Sequence, residues 1–173
     1  NEFIYKPSPH LLSSIIKYQN KKYKIEDFEL ETVWNSQIKP KDFEKLNNFF
    51  WLFSLDLKSS KKSVKKVITN WITNNSHFKK ESWEFDMTAK RIISCLSNHP
   101  LTYDDNDKEY KLMFDHMIQK QTNHLLNEIK NSKNLENKII GCSAIILVGL
   151  CYKIEKNYLN IGLSFLKKIT NSS

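Results

Sequence analysis

From Pro40 onward the apolar residues recur at intervals of three and four, the spacing that lines one face of an α-helix. Lys41 to Leu57 is predicted as a first helix, with Phe43, Leu46, Phe50 and Phe53 on one side and Phe49, Trp51, Leu52 and Leu55 close by. A turn at Lys58 to Ser60 leads to a second, Lys61 to Asn74, in which Val64, Ile68, Trp71 and Ile72 follow i, i+4, i+7, i+8; the two should form a hairpin. A third, Phe85 to Ser97, presents Met87, Ile92, Cys95 and Leu96, with Arg91 within reach of that face, and Asn98-His99-Pro100 ends it. Asp104 or Asp105 is placed to cap a long fourth helix whose seam is Tyr110, Met113, Phe114, Met117, Ile118, Gln121, Leu125 and Ile129. After a polar break at Asn131 to Asn134, Leu135 to Tyr152 forms a fifth that is apolar all round in its second half, which calls for burial, and Glu155 to Thr170 forms the last.

Residues 1–40 lack this regularity. Pro7, Pro9 and Pro40 interrupt them, a short helix is expected from His10 to Gln19 with Leu11, Leu12, Ile15 and Ile16 on one face, and Tyr23 to Trp34 reads as an extended lead-in. The expected organisation is a lead-in over 1–40 and an all-α domain over 41–173, built of antiparallel helical hairpins with six main helices. No repeat of 34 or 40 residues is legible. A buried fifth helix beside an amphipathic fourth suits the inner and outer layers of part of an α/α toroid.

Composition narrows this further. Three Gly and four Pro in 173 residues are too few for the turns of a β-sandwich or barrel, and 40% hydrophobic content is enough for one core. Cys142 and Cys151 fall nine residues apart on one predicted helix and cannot bridge there, so with Cys95 the three cysteines read as small buried hydrophobes in a reducing compartment. The longest apolar run, Ala144 to Tyr152, is well short of the roughly 20 residues that span a bilayer, so no membrane segment is expected. The start, Asn-Glu-Phe-Ile, reads as the interior of a longer reading frame and leaves a cytoplasmic or periplasmic location open. A net charge of +8 permits attraction to nucleic acid, anionic lipid or an acidic polysaccharide without choosing among them.

Several stretches together resemble a known family. They are Leu46-Asn-Asn-Phe-Phe-Trp51-Leu52-Phe-Ser-Leu55, then Trp71-Ile72 with Asn74, then Trp83 with Ala89-Lys-Arg91-Ile92, then Gln121 and His124-Leu125, then Gly149-Leu150. Their order and spacing, over about residues 25–169, resemble the N-terminal helical region of heparinase II/III family proteins. The chain departs from the family pattern at Asn47, where many relatives carry His, and at Phe53-Ser54, where a charged pair is common. The resemblance implies a polysaccharide lyase that cleaves uronic-acid polymers by β-elimination, with further toroid helices and a β-sandwich needed for activity and absent from this sequence. It also implies an exposed apolar edge, open to dimerisation. The alternative is a non-catalytic helical binding module.

The candidate site residues follow from this. Asn123-His124 resembles the Asn-His pair that toroidal lyases use at the cleft, the alternative being a histidine on a helix surface. Arg91 is the only arginine in a Lys-rich chain, which suggests a need for the planar guanidinium: either to clamp a substrate carboxylate or to form an ion pair with Glu84 or Asp86. Trp51 and Trp83, with Trp34 and Trp71, could stack on sugar rings or fill the core. The lysine run from Lys58 to Lys66 reads as a polyanion patch or a solvated helix start. No cofactor or metal is expected: Cys-x-x-Cys, His-Glu-x-x-His, a phosphate-cradling Gly loop and a Gly-x-Ser-x-Gly elbow are all missing, and Asp104-Asp-Asn-Asp107 lacks the Gly and Glu of an EF-hand loop. Nucleic-acid binding is disfavoured by the lack of a recognisable motif.

Overall fold

The structure is a computed structural model; it describes 15–18 and 21–24 as backbone, and 39–55, 61–153 and 157–171 with their side chains. Two short strands, β1 (Ile15–Tyr18) and β2 (Lys21–Lys24), pair antiparallel with Ile15 opposite Lys24 and Tyr18 opposite Lys21. This corrects the helix expected from His10 to Gln19. Adjacent Ile residues followed by Tyr favour extended backbone, and a two-residue spacing between the runs is hairpin spacing. Residues 10–14 and 19 of that expected helix, Trp34, and the turn at Lys58 to Ser60 lie outside the described residues.

Beyond the hairpin the described chain is all-α. The helices are α1 (Pro40–Asn47), α2 (Lys61–Asn74), α3 (Phe85–Ser97), the one-turn α4 (His99–Thr102), α5 (Lys108–Glu128), α6 (Leu135–Cys151) and α7 (Tyr158–Thr170). One core runs without interruption from Leu46 to Tyr158. Helix α3 lies at its centre, packed on α5 and α6.

The expected first helix is broken. Helix α1 stops at Asn47, Phe49 adopts a left-handed backbone (φ 59°), and a 3₁₀ turn follows over Phe50–Ser54. A bulky residue at positive φ is strained and persists only where its surroundings over-determine it. Here Phe50 N donates to Asn48 Oδ1 at 2.9 Å, and the Phe49 ring is buried between Trp51 and Trp71 with centroids 5.5 and 5.6 Å away. The break swings Phe50 and Phe53 outward, where they are 44% and 48% exposed instead of lining the core.

Helix α5 matches its expected seam: Tyr110, Phe114, Met117, Ile118, Gln121, Leu125 and Ile129 are buried, with Met113 half-buried. It begins later than expected, because the cap is Asp107, whose carboxylate accepts from Tyr110 N at 3.0 Å, and not Asp104 or Asp105. Lys65 on α2 holds both Asp104 (3.0 Å) and Asp107 (2.6 Å), tying α2 to the entry of α5. The hydrogen bond from Lys65 lowers both carboxylate pKa values from the ordinary 3.8. Their contribution to stability is therefore complete above that value and lost as pH falls through the lowered ones. In thermal unfolding, Lys65→Met is expected to lower the midpoint at neutral pH, and the gap from the parent should close as pH falls through the lowered carboxylate values. A gap that persists unchanged in acid would assign the effect to packing.

Helices α6 and α7 run antiparallel at close range: Gly149 meets the backbone of Leu159, while Gly162 meets Ile146. The inner face of α6 buries Gly141, Cys142, Ala144, Ile145 and Val148. Its expected burial on all sides does not hold. Leu135, Ile139 and Leu150 are 49%, 39% and 66% exposed, and they fall within about 60° of one another around the helix at 3.6 residues per turn. Apolar composition demanded cover for α6, and α3, α5 and α7 cover only part of it. No helix among the described residues is long and apolar enough to cross a membrane.

Candidate functional site

Arg91 lies on the inward face of α3 and is fully buried. Its Nε donates to Gln121 Oε1 at 3.0 Å, Nη1 to Asn47 O at 2.6 Å, and Nη2 to Ser82 O at 3.0 Å and Thr88 Oγ1 at 3.2 Å. The guanidinium carbon stands 4.1 Å from the centre of the Trp71 ring, and Trp71 Nε1 donates to Asn47 Oδ1 at 2.8 Å. One side chain thereby joins the end of α1, the loop before α3, and helices α2, α3 and α5. The planar fork is what allows this, since an ammonium could not reach all of these acceptors from one position.

The ion pair expected between Arg91 and Glu84 or Asp86 is not formed. Glu84 turns back to cap α3, accepting from Met87 N at 3.0 Å, and Asp86 pairs with Lys90 one helical turn on. Burial, with no carboxylate opposite, pulls the Arg91 pKa down to about 9, so the group remains a cation at neutral pH. Its hydrogen bonds and the Trp71 face offset the desolvation. Arg91 has no exposed surface through which a polysaccharide carboxylate could reach it.

The candidate tryptophans also face inward. Trp51 donates through Nε1 to Leu46 O at 3.2 Å, and Trp83 to Asn75 O at 3.3 Å; both are nearly closed to solvent. Asn123 and His124 do not converge on one point. Asn123 Oδ1 accepts from Tyr158 of α7 at 3.0 Å, whereas His124 Nε2 lies 2.8 Å from Trp83 O, with its ring 5.4 Å from Phe78 and 5.6 Å from Trp83. A carbonyl only accepts, so Nε2 carries the proton in this arrangement. Neighbours on a helix point about 100° apart at 3.6 residues per turn, which is why the two side chains diverge.

Sequence reasoning passed over the buried polar partners of this hub. Asn47, which in sequence is a departure from the family pattern, receives both Arg91 and Trp71. Ser82 donates to Asn75 Oδ1 at 2.7 Å, and Asn75 donates to Trp71 O at 2.9 Å, which shapes the loop whose carbonyls Arg91 and His124 use. A lone arginine among lysines was the only visible signal.

Among the described residues three clefts bear on the site. The first, about 430 Å³, is lined by His99, Tyr103, Lys111, Asp115, Cys151 and Tyr152 among others. In it Asp115 accepts from Tyr152 OH at 2.8 Å, Lys111 Nζ at 2.8 Å and Tyr103 OH at 3.3 Å. Burial, and then the bond to Asp115, raises the Tyr152 pKa above the ordinary value of 10.0, so this phenol keeps its proton at neutral pH. The second, about 370 Å³, lies beside Trp83 with His116 and Lys120 at its rim. The third, about 520 Å³, is bordered by Lys130, Lys133, Lys138 and Lys168 with Ile129, Leu135, Phe165 and Ile169.

Cys95 and Cys142 are buried thiols, whereas Cys151 is exposed rather than buried as expected, because α6 ends at the surface there. Among the described residues no three of His, Cys, Asp and Glu gather as a metal-binding group. Compared with protein-family models, curated proteins and solved structures, the chain has no match.

Proposed function

We propose that this chain is the N-terminal helical portion of a heparinase II/III-like polysaccharide lyase, part of an α/α toroid, acting on uronic-acid polysaccharide by β-elimination. One observation supports this reading above the rest. Four separate segments that resemble the family, around Asn47, Trp71, Arg91 and Gln121, meet at a single guanidinium. The resemblance is then the signature of a structural lock that orders hairpins, which explains why its residues are buried. The uncovered stripe of Leu135, Ile139 and Leu150 suits an edge on which a further hairpin or a second copy packs.

β-Elimination needs a base for the C5 proton, an acid for the leaving oxygen and a group that neutralises the uronate carboxylate. In the first cleft Tyr103, Lys111 and Tyr152 all donate to Asp115, and the raised pKa of Tyr152 keeps its proton on, so no base stands ready there and the chain alone is expected to be inactive. Expression of the reading frame that encodes it, followed by incubation with a panel of uronic-acid polysaccharides, should release unsaturated uronate ends, detected by their ultraviolet absorbance. Absence of that absorbance across the panel, from a folded product, would remove the lyase reading. A non-catalytic module that binds an acidic polymer is the second reading, favoured by the lysine-walled cleft.

A further inference from the structure

The third cleft lies where the end of α5, the start of α6 and the end of α7 come together. Lys130 stands in the turn just past α5 and Lys168 in the last turn of α7, where both complement carbonyl-rich helix termini. Lys133 comes from the connecting loop and Lys138 from the first turns of α6. No acidic residue lines the cleft. The acid in the first turn of α6, Glu136, acts instead on Lys90 of α3, on another flank, and Glu128 accepts from Asn131. Among the described residues Lys130, Lys133 and Lys138 form no ion pair. Cations gathered around a concave, low-dielectric floor concentrate positive potential there.

The floor decides what kind of anion fits. It is the buried Ile129, the partly buried Ile169 and Phe165 and the half-exposed Leu135, bordered by the lysines, and the volume of about 520 Å³ is within the roughly 300–1,000 Å³ usual for small-molecule sites. Single-stranded nucleic acid binds on exposed aromatic platforms, and this cleft has one partly covered ring. An acidic saccharide unit satisfies both parts, with its carboxylate or sulfate among the ammonium groups and a C–H face on the aliphatic floor. We infer that this cleft is a subsite for one acidic sugar unit of a longer polymer, remote from the Arg91 lock. The inference rests on the polysaccharide reading above for the polymer's identity, while the cleft itself is carried by its own residues.

The test is titration of the full 173-residue chain at low salt with a short oligoglucuronate, followed by calorimetry or amide chemical shifts. The double variant Lys133→Ala/Lys138→Ala is expected to weaken binding about tenfold or more, a loss of about 1.4 kcal/mol. The double variant Lys61→Ala/Lys62→Ala, which removes the same charge from exposed positions on α2, should bind like the parent. A neutral oligoglucoside of the same length should not bind. Equal weakening by both double variants would reduce the effect to net charge and overturn the subsite. Undiminished oligoglucuronate binding in the cleft variant would overturn its location, and lyase activity from the encoding reading frame would then leave the functional reading standing. Binding of phosphatidylserine vesicles or oligo-dT that depends on the cleft lysines, with no oligoglucuronate binding, would overturn the sugar assignment.

Discussion

Arg91→Met is expected to destabilise the fold by about 3–5 kcal/mol, the cost typical of breaking a buried charged network from one side. Two effects compete. Removing the guanidinium relieves the desolvation that pulls its pKa down to about 9. It also strips donors from Asn47 O, Ser82 O and Gln121 Oε1, all in the buried interior, at about 1–3 kcal/mol for each acceptor left without a partner. The second effect wins because two of the three acceptors are backbone carbonyls, which no relaxation of side chains can remove. Gln121 Nε2 already has no partner in the interior, so the variant would leave the whole amide without a bond. Arg91→Lys should recover only part of the loss, since one ammonium cannot span α5, the α1 end and the Ser82 loop together. Urea unfolding of the parent and both variants measures this directly. A methionine variant as stable as the parent would show that the hub is dispensable.

Gly149→Ala is expected to cost about 2 kcal/mol net, against a gain of about 1 kcal/mol that alanine brings to a helix interior. The added methyl would meet the backbone nitrogen of Leu159 and lie 2.7 Å from its Cα, so helix α7 itself would have to move. Gly162→Ala is the informative contrast. Its methyl would meet the Cγ1 of Ile146 at 2.7 Å, a side-chain atom that can swing aside, although Ile146 N lies at 3.2 Å. A smaller loss is expected there. If both alanines are tolerated equally in urea unfolding, close approach of α6 and α7 is not what these glycines provide.

The limits of legibility have particular causes. The seam of α5 was readable because a long amphipathic helix carries its burial pattern in its own period. The break after α1 was not. Phe43 to Leu55 is apolar on nearly every side, so periodicity does not signal an interruption, and the left-handed Phe49 is held by contacts with Trp71, twenty-two residues away in the chain. The same reasoning explains α6, whose composition calls for burial all round without revealing how many neighbours supply it. Candidate residues were drawn from the right segments, but the side from which each would be approached was invisible. Arg91 and Trp51 face the interior and not a cleft, and the nearly closed Trp83 only edges the second cleft.

By itself the sequence determined the all-α class, the number and bounds of most helices, and the singularity of Arg91, because these depend on residue type and on local period. Tertiary structure alone decided that Arg91 binds carbonyls and an amide instead of a carboxylate, that Asn123 and His124 serve different neighbours, and that four lysines from the α5–α6 connection, α6 and α7 border one cleft. Those outcomes are pairings between segments tens of residues apart. They follow from which helix faces meet, and a linear pattern sets a helix's face without naming the face it will meet.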